Sequence, residues 1–498
     1  MRRKPQSIPV VDLFAGPGGL NEGFSSFRSK RGARFHSVLS IEKEPVAHQT
    51  LLLRSFFRNF QAPPKEYYAR LRGEISTDDL FDLYPDEANL ARAEARCLEL
   101  GRRSFPKIEQ LISNALKGRR KKWVLIGGPP CQAYSLVGRS RMRSSDPDEF
   151  EQDHRHFLYR EYLRILERFK PPVFVMENVK GILSSTVKDK QIFRKIKKDL
   201  ENAGYTIHSF TRLHTDFEPE PKDFIIHAEK FGIPQTRHRV ILLGVRNDLE
   251  RQTRTLRRDE NQISVKEAIG DLPKIRSVIS KTKSTFNNWK KAIVGLKRMQ
   301  LRSVLRSALH RNVARLKDLP CGAEFLRAGN IQYRKSKWLQ TKKNWFIDKN
   351  IRGITHHAAK SHMGNDLKRY LFAATYTKLY RVSPKISTFP KSLWPNHENI
   401  EDAANGKMFA DRFRVQRANK PATTVVSHLS KDGHYFIHYD PVQCRSFTVR
   451  EAARLQTFPD NYFFEGNRTQ QYQQVGNAVP PLLARQLAAV VHDILGQI

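Results

Sequence analysis

A chain of 498 residues is too long for one ordinary core and suits two domains. Its formal net charge of +38 and pI near 10.2 call for a polyanionic partner, nucleic acid before any other, while 39% hydrophobic content is still that of a folded protein. No run of about 18 apolar residues and no lipidation signal suggests a membrane, and Asp12 interrupts the N-terminal apolar stretch too early for a signal peptide.

The first apolar segment, Ile8 to Phe14, reads as a buried strand running into the glycine turn AGPGG. Further short strands are predicted at Val38–Ile41, Trp123–Ile126, Val173–Met176 and Val240–Val245, separated by helical or loop stretches. Such alternation implies a parallel sheet with helices on both faces. Between two of these strands, residues from about 78 to 122 are charged and helical in pattern, and DEANLARAEARCLELGRR reads as one amphipathic helix of a surface insertion. Beyond Arg246 the character changes. Ile275 to Trp345 holds 18 Lys/Arg against two acids, Asp318 and Glu324. There Trp289, Ile293, Leu296, Val304, Leu305, Leu309, Val313 and Leu316 recur at helical spacing, predicting a helix with one apolar face and basic side chains outside. Regular patterns return near Phe447 and continue to Ile498.

Four short motifs carry chemistry. Asp12 to Gly19 (DLFAGPGG) ends the first strand in glycines that let a cofactor approach the main chain, and Glu42, ending the second strand, can accept both hydroxyls of a ribose. GGPPCQAYS at 127–135 puts Cys131 on a rigid turn after a strand, flanked by Pro130 and Gln132. Glu177 and Asn178 end another strand in FVMENVKG, and Arg237 and Arg239 alternate in QTRHR ahead of the strand Val240–Val245. Taken singly, each has an ordinary structural reading: a generic turn, a buried thiol, a strand-end carboxylate, two surface arginines. The four cysteines, Cys97, Cys131, Cys321 and Cys444, contain no CxxC pair, which argues against a Cys-rich zinc site and for a reducing compartment.

In this order the motifs resemble the DNA cytosine-5 methyltransferase family, and the match continues through RGEI at 72–75, FGIPQTRHRV at 231–240, TVREAARLQTFPD at 448–460 and QVGNAVPP at 474–481. The resemblance implies transfer of a methyl group from S-adenosyl-L-methionine to carbon 5 of a cytosine flipped out of duplex DNA. Cys131 would be the nucleophile at carbon 6, helped by Gln132 beside it. Glu177 would hold N3 and the exocyclic amine, Arg239 the O2, and Arg237 would support the pocket. Phe14, Gly16, Pro17 and Gly19 would line the methionine portion of the cofactor and Glu42 its ribose. Lys43, Glu74 and Ile75 would lie at the adenine, with Pro130, Leu158, Asn477 and Ala478 completing the pocket. Lys43 stands where the family usually has an aromatic residue, and Glu74 where it has aspartate. GRSRMRSSDPDEF after Cys131 is similar to the loop that closes over DNA in this family.

The expected fold is α/β, a doubly wound and mostly parallel sheet of the class I S-adenosylmethionine-dependent, Rossmann-like type. A smaller basic DNA-recognition domain is expected near its C-terminal end. The catalytic domain would span 1–250, with the charged insertion, the recognition domain 251–465, and a return to the catalytic domain 466–498. No metal is expected; His356, His357 and His362 read as DNA contacts or local structure. Double-stranded DNA is the expected partner, bound by a monomer in a prokaryotic cytoplasm, and a start close to the first strand suggests no added regulatory region. Whether a restriction nuclease or other defence proteins accompany the chain stays open. A tRNA-modifying relative and a catalytically silent DNA-binding protein are the rival readings; the long region between Arg246 and Phe447 disfavours the first, and intact Cys131, Glu177 and Arg239 the second.

Overall fold

The computed structural model describes residues 7–119, 121–130, 157–183, 186–187, 190–213, 219–249, 253–294, 301–327, 336–396, 398–406 and 410–497. They form two compact units. The first comprises Met1–Pro63, Thr77–Asn261 and Ala478–Ile498, the second Pro64–Ser76 and Gln262–Asn477.

In the first unit, eight described strands make one sheet: β1 (Ser7–Leu13), β2 (Arg34–Glu42), β3 (Ala95–Cys97), β4 (Val124–Gly127), β5 (Val173–Val179), β6 (Tyr205–Ser209), β7 (Ile225–His227) and β8 (His238–Arg246). Their order is β3-β2-β1-β4-β5-β8-β6, with β7 also on β8. The pairs from β3 to β5 are parallel, whereas β8 runs antiparallel to β5, β6 and β7. The strand order turns back between β1 and β4, and the carboxyl ends of strands at such a switch point open into the crevice where α/β sheets bind ligands.

Alternation along the strands sends side chains to two covered faces. Val11, Leu13, Leu39 and Ile41 pack into one cluster with Ile108, Ile112, Ile165 and Leu166. Ser40 points the other way and accepts from Asn21 Nδ2 at 2.9 Å on helix α1 (Gly19–Ser26). Helix α1 fits tightly on the C-terminal helix Pro481–Leu495: a Cβ on Gly23 would stand 2.3 Å from the Ala484 Cβ. That closeness explains why the end of the chain belongs to this unit. The one described stretch long and apolar enough to cross a membrane, Arg468–Leu495, is mostly buried inside the protein.

The stretch read as a surface insertion is instead woven into the sheet. The predicted single helix stops at Glu94, after α2 (Pro45–Arg58) and α3 (Pro85–Glu94), and the chain continues as β3 on the edge of β2. Ala88 and Ala91 are fully buried, and Glu94 accepts from Ser55 Oγ at 2.5 Å and pairs with Arg58 at 2.7 Å. Helix α4 (Phe105–Ala115) then delivers Ile108 and Ile112 to the main core. Alanines occupy the inward positions of α3, so its charge dominates the sequence pattern although its inner face is dry.

The second unit has its own core. The amphipathic stretch of the basic segment, read as one helix, forms two described helices, α5 (Phe286–Val294) and α6 (Ser303–Ala314), packed with α7 (Gly364–Tyr380). Trp289, Ile293, Leu305, Leu309, Val313 and Leu316 are buried as the spacing requires. Val304 is not: it is 57% exposed, one residue inside the start of α6. Leu296 lies outside the described residues. A second local device is α8 (Val449–Leu455), which starts in a capping box: Thr448 Oγ1 accepts from the Glu451 amide at 3.2 Å, and the Glu451 carboxylate accepts from the Thr448 amide at 2.8 Å.

Candidate active site

The glycine turn lies at the carboxyl end of β1. Phe14 and Gly16 both have positive φ, 56° and 57°, and Gly18, at 89°, precedes α1. Nothing lies within 4 Å of where a Cβ on Gly16 would stand, so the space over the turn is open. Gly19 is the opposite case, since a Cβ there would meet the Val479 carbonyl at 2.4 Å and the Ala478 Cβ at 3.2 Å. The structure thus brings Gly19 and Ala478 together, with Pro17 buried beside them and Phe14 half-buried.

Glu42, only 8% exposed, is fixed by this turn: Oε2 accepts from the Gly16 amide at 2.7 Å and Oε1 from the Glu44 amide at 2.8 Å. A carboxylate offers about four lone-pair positions, so both oxygens can still accept a hydroxyl. Lys43 points outward and lies 3.4 Å from Glu99. Beneath the turn sits a group that motif reading passed over. Asp12 is fully buried, neither carboxyl oxygen has a hydrogen-bond partner among the described residues, and burial pushes its carboxyl well above the usual range. Its signal was its place in DLFAG, one residue before the strand ends.

The second cluster lies at the carboxyl ends of β4 and β5, on the other side of the switch point. Gly128 packs so closely on Glu177 that a Cβ would stand 3.0 Å from Oε2, and Asn178 Nδ2 donates to the Pro129 carbonyl at 3.4 Å. The GGPP turn is therefore seated on the Glu177-Asn178 strand end, with Pro130 half-buried. Across the antiparallel pair, Ile241 lies opposite Glu177, which brings Arg239 Nε to 2.9 Å from Glu177 Oε1. Arg237 is 1% exposed, and burial, then Arg239, lower its basicity well below the ordinary arginine value. A half-buried carboxylate–guanidinium pair at a strand end, backed by the buried Arg237, can hold the polar edge of a flat heterocycle, because donors and an acceptor converge there.

Other expected residues are more scattered. Cys131, Gln132 and the loop 138–150 lie outside the described residues. Leu158 is half-buried on the helix Phe157–Phe169 of the first unit. Glu74, Ile75 and Asn477 belong to the second unit. There Glu74 is exposed and bound by Arg72 at 2.9 and 2.8 Å, which holds its carboxyl below the usual value. Ile75 is half-buried, and Asn477 is exposed at the end of the helix Arg468–Asn477.

The histidines His356, His357 and His362 of the second unit are internal structure rather than DNA contacts. His356, His357 and His362 are 2%, 0% and 5% exposed. His356 Nε2 accepts from the Phe464 amide, His357 bridges Thr448 and the Pro273 carbonyl, and His362 meets Ser446 and Tyr370.

Residues 107–492 match the family model for C-5 cytosine-specific DNA methylases. The chain is 34% identical to the type II methyltransferase M.Bpa9945I of Bacillus paralicheniformis, covering 98% of this chain and 99% of that one. It is 26% identical to M.DdeI of Desulfomicrobium norvegicum (96% and 87% covered) and 26% identical to M1.HphI of Haemophilus parahaemolyticus (97% and 87%), both also type II methyltransferases.

Proposed function

This chain belongs to the C-5 cytosine-specific DNA methylase family and is a DNA cytosine-5 methyltransferase, and we propose that it works through a covalent Cys131 adduct with S-adenosyl-L-methionine as methyl donor. The observation that carries the reading is the meeting of Glu177 and Arg239 at 2.9 Å, on a strand end covered by the turn that leads to Cys131.

The residues of the glycine turn fit the cofactor. The open space over Gly16, bordered by the Glu42 carboxylate, suits a ribose and a sulfonium-bearing chain, with Phe14, Pro17, Gly19 and Ala478 as walls. When bound, S-adenosyl-L-methionine supplies an electrophilic methyl group. The protein's part is to make cytosine carbon 5 nucleophilic. Cys131 adds to carbon 6 as a thiolate, while Glu177 shares a proton with N3 and accepts from the exocyclic amine, drawing charge from the ring as the bond forms. Arg239 holds O2 and Arg237 supports it from the buried side. After methylation, loss of the carbon 5 proton to water releases Cys131. Only a base extruded from the duplex reaches such a site. The second unit, with its exposed basic helices, serves as the DNA-recognition domain of an enzyme that acts on DNA as a monomer in a prokaryotic cytoplasm, and the type II names of the bacterial relatives support a place in restriction-modification.

Mapping 5-methylcytosine in the DNA of cells that express the chain tests this reading. Modification at one short sequence is expected, and unmodified DNA would overturn it.

A further inference from the structure

Where β8 begins, between Arg237 and Arg239, the chain presents a different chemistry on its other side. In the antiparallel register of β7 and β8, His227 lies directly opposite His238. Glu229, two residues after His227 in the short turn Ala228–Phe231, folds back toward both rings. Glu229 Oε1 is 2.9 Å from His238 Nε2 and 3.8 Å from His227 Nδ1, and the two ring nitrogens are 3.2 Å apart. A tetrahedral ion with bonds of roughly 2.0–2.2 Å needs its donors about 3.3–3.5 Å apart. The three observed separations bracket that spacing, so small rotations of the side chains would admit an ion.

A second feature is independent of the spacing. Glu229 is 8% exposed, and its other oxygen, Oε2, is buried without a hydrogen-bond partner among the described residues. A buried carboxylate with an idle oxygen is costly in a structure that offers it no ion. His227 also borders a 370 Å³ cavity, with Ile225, Lys230, Phe231 and Asp223, which leaves room for a water as fourth ligand.

We propose that His227, Glu229 and His238 form a binding site for a divalent transition-metal ion, zinc by donor class, that ties β7 to β8. Two imidazoles and one carboxylate are a zinc-type donor set, whereas calcium and magnesium require mostly oxygen. The tie would brace the start of β8, where Arg237 and Arg239 flank His238 and belong to the catalytic cluster.

The full chain, stripped with EDTA and dialysed, is titrated with zinc alone and with cobalt(II) alone. The expected result is binding of about one ion per chain, with the visible absorption of tetrahedral cobalt and a rise in the unfolding temperature. Glu229→Gln, which keeps the side chain's size, should weaken binding by roughly 100-fold and abolish the thermal shift, as should His227→Ala. Substoichiometric binding by the wild type overturns the proposal, and so does a Glu229→Gln protein that folds and binds zinc as the wild type does. Should His227→Ala fail to fold, the near-isosteric Glu229→Gln decides alone.

Discussion

Two regions of the molecule carry equally strong sequence motifs and use them in opposite ways. At the strand ends of the first unit, FVMENV and QTRHR converge in a small cluster, Glu177 with Arg239 and Arg237, whose polar atoms meet where a substrate edge can be held. In the second unit, TVREAARLQTFPD turns inward. Arg445 binds Glu451 through both Nη atoms at 2.6 and 2.7 Å, Arg454 binds Asp460 and Asp271, and Arg450 ties the Thr355, Pro459 and Tyr462 carbonyls together. All three arginines are at most 1% exposed. A motif shared with the family can therefore specify chemistry or architecture, and only burial and partner geometry separate the two. A charge at an open strand end has work to do on a ligand; one sealed inside with every donor engaged holds segments in register.

The contrast is sharpest where an exchange should stop chemistry and spare the fold. Cys131→Ser should abolish methyl transfer while S-adenosyl-L-methionine still binds, because the glycine turn and Glu42 do not depend on the thiol. Duplex DNA carrying 5-fluorocytosine at the target should trap the wild type covalently, since fluorine replaces the carbon 5 hydrogen and leaves no proton whose removal would release Cys131. Turnover by Cys131→Ser, or no trapped complex, would break the catalytic half of the comparison.

Glu451→Gln should do the reverse. Removing one partner of a buried ion pair leaves the other charge uncompensated, at a cost of about 3–5 kcal/mol, so denaturant unfolding should show a large loss of stability. Burial by itself would raise the Glu451 carboxyl, but Arg445 outweighs it and holds the group down to about 2. A depressed folded-state value means stability that is fully present above the ordinary carboxylate value of 4.5 and lost as pH falls through about 2. Wild-type stability should therefore decline across that window more steeply than that of Glu451→Gln. Parallel pH profiles would remove Glu451 from the architecture.

Glu177→Gln is the counterpart at the strand end. The amide still donates to N3 but delivers no proton, so the single-turnover rate should fall by at least ~100-fold, with DNA affinity and unfolding nearly unchanged. A wild-type rate would sink the assignment, and a large loss of stability would move Glu177 into the same class as Glu451.

How much of this could be read from the chain depends on where information is local. The five predicted strands fall on β1, β2, β4, β5 and β8, because each is an apolar run ending in a glycine turn or a polar stop. β3 escaped notice because it is three residues, ARC, inside a charged stretch, and an edge strand of that length has no apolar signature. The reversal of β8 relative to β5 is equally silent, since direction is set by connections and not by residue type. Glu177 and Arg239 were legible from their motifs, while their contact depends on that antiparallel register. His227 and His238, eleven positions apart, face each other only after β7 pairs with β8, so no spacing rule would have joined them to Glu229. The basic segment was legible as amphipathic but not as two helices, because nothing in the pattern marks the break that leaves Val304 in solvent.

The smallest effect concerns that basic surface, where the comparison reaches a third use of charge. Arg302, Arg306 and Arg311 are exposed along α6 and its start, and among the described residues none of them has an ion-pair partner. The two acids of the segment have other partners: Asp318 lies 3.8 Å from Arg276, and Glu324 contacts His356 and Arg468. Unlike Arg445 or Arg239, these three arginines have no internal reason to be there, so phosphate is the partner their placement suits. Each phosphate contact releases condensed counterion, worth a slope of roughly −0.9 in log K against log salt. Replacing all three by Gln should weaken duplex binding most at low salt and flatten the slope by up to ~3 units. Fold and cofactor affinity should hold, since Leu305, Leu309 and Val313 still fill the core beneath. The methylated sequence should also be unchanged if the arginines touch phosphates alone, because backbone contacts position a protein without reading bases. An unchanged slope would leave α6 a solvated face, and a shifted methylation site would show that at least one of these arginines reaches a base edge.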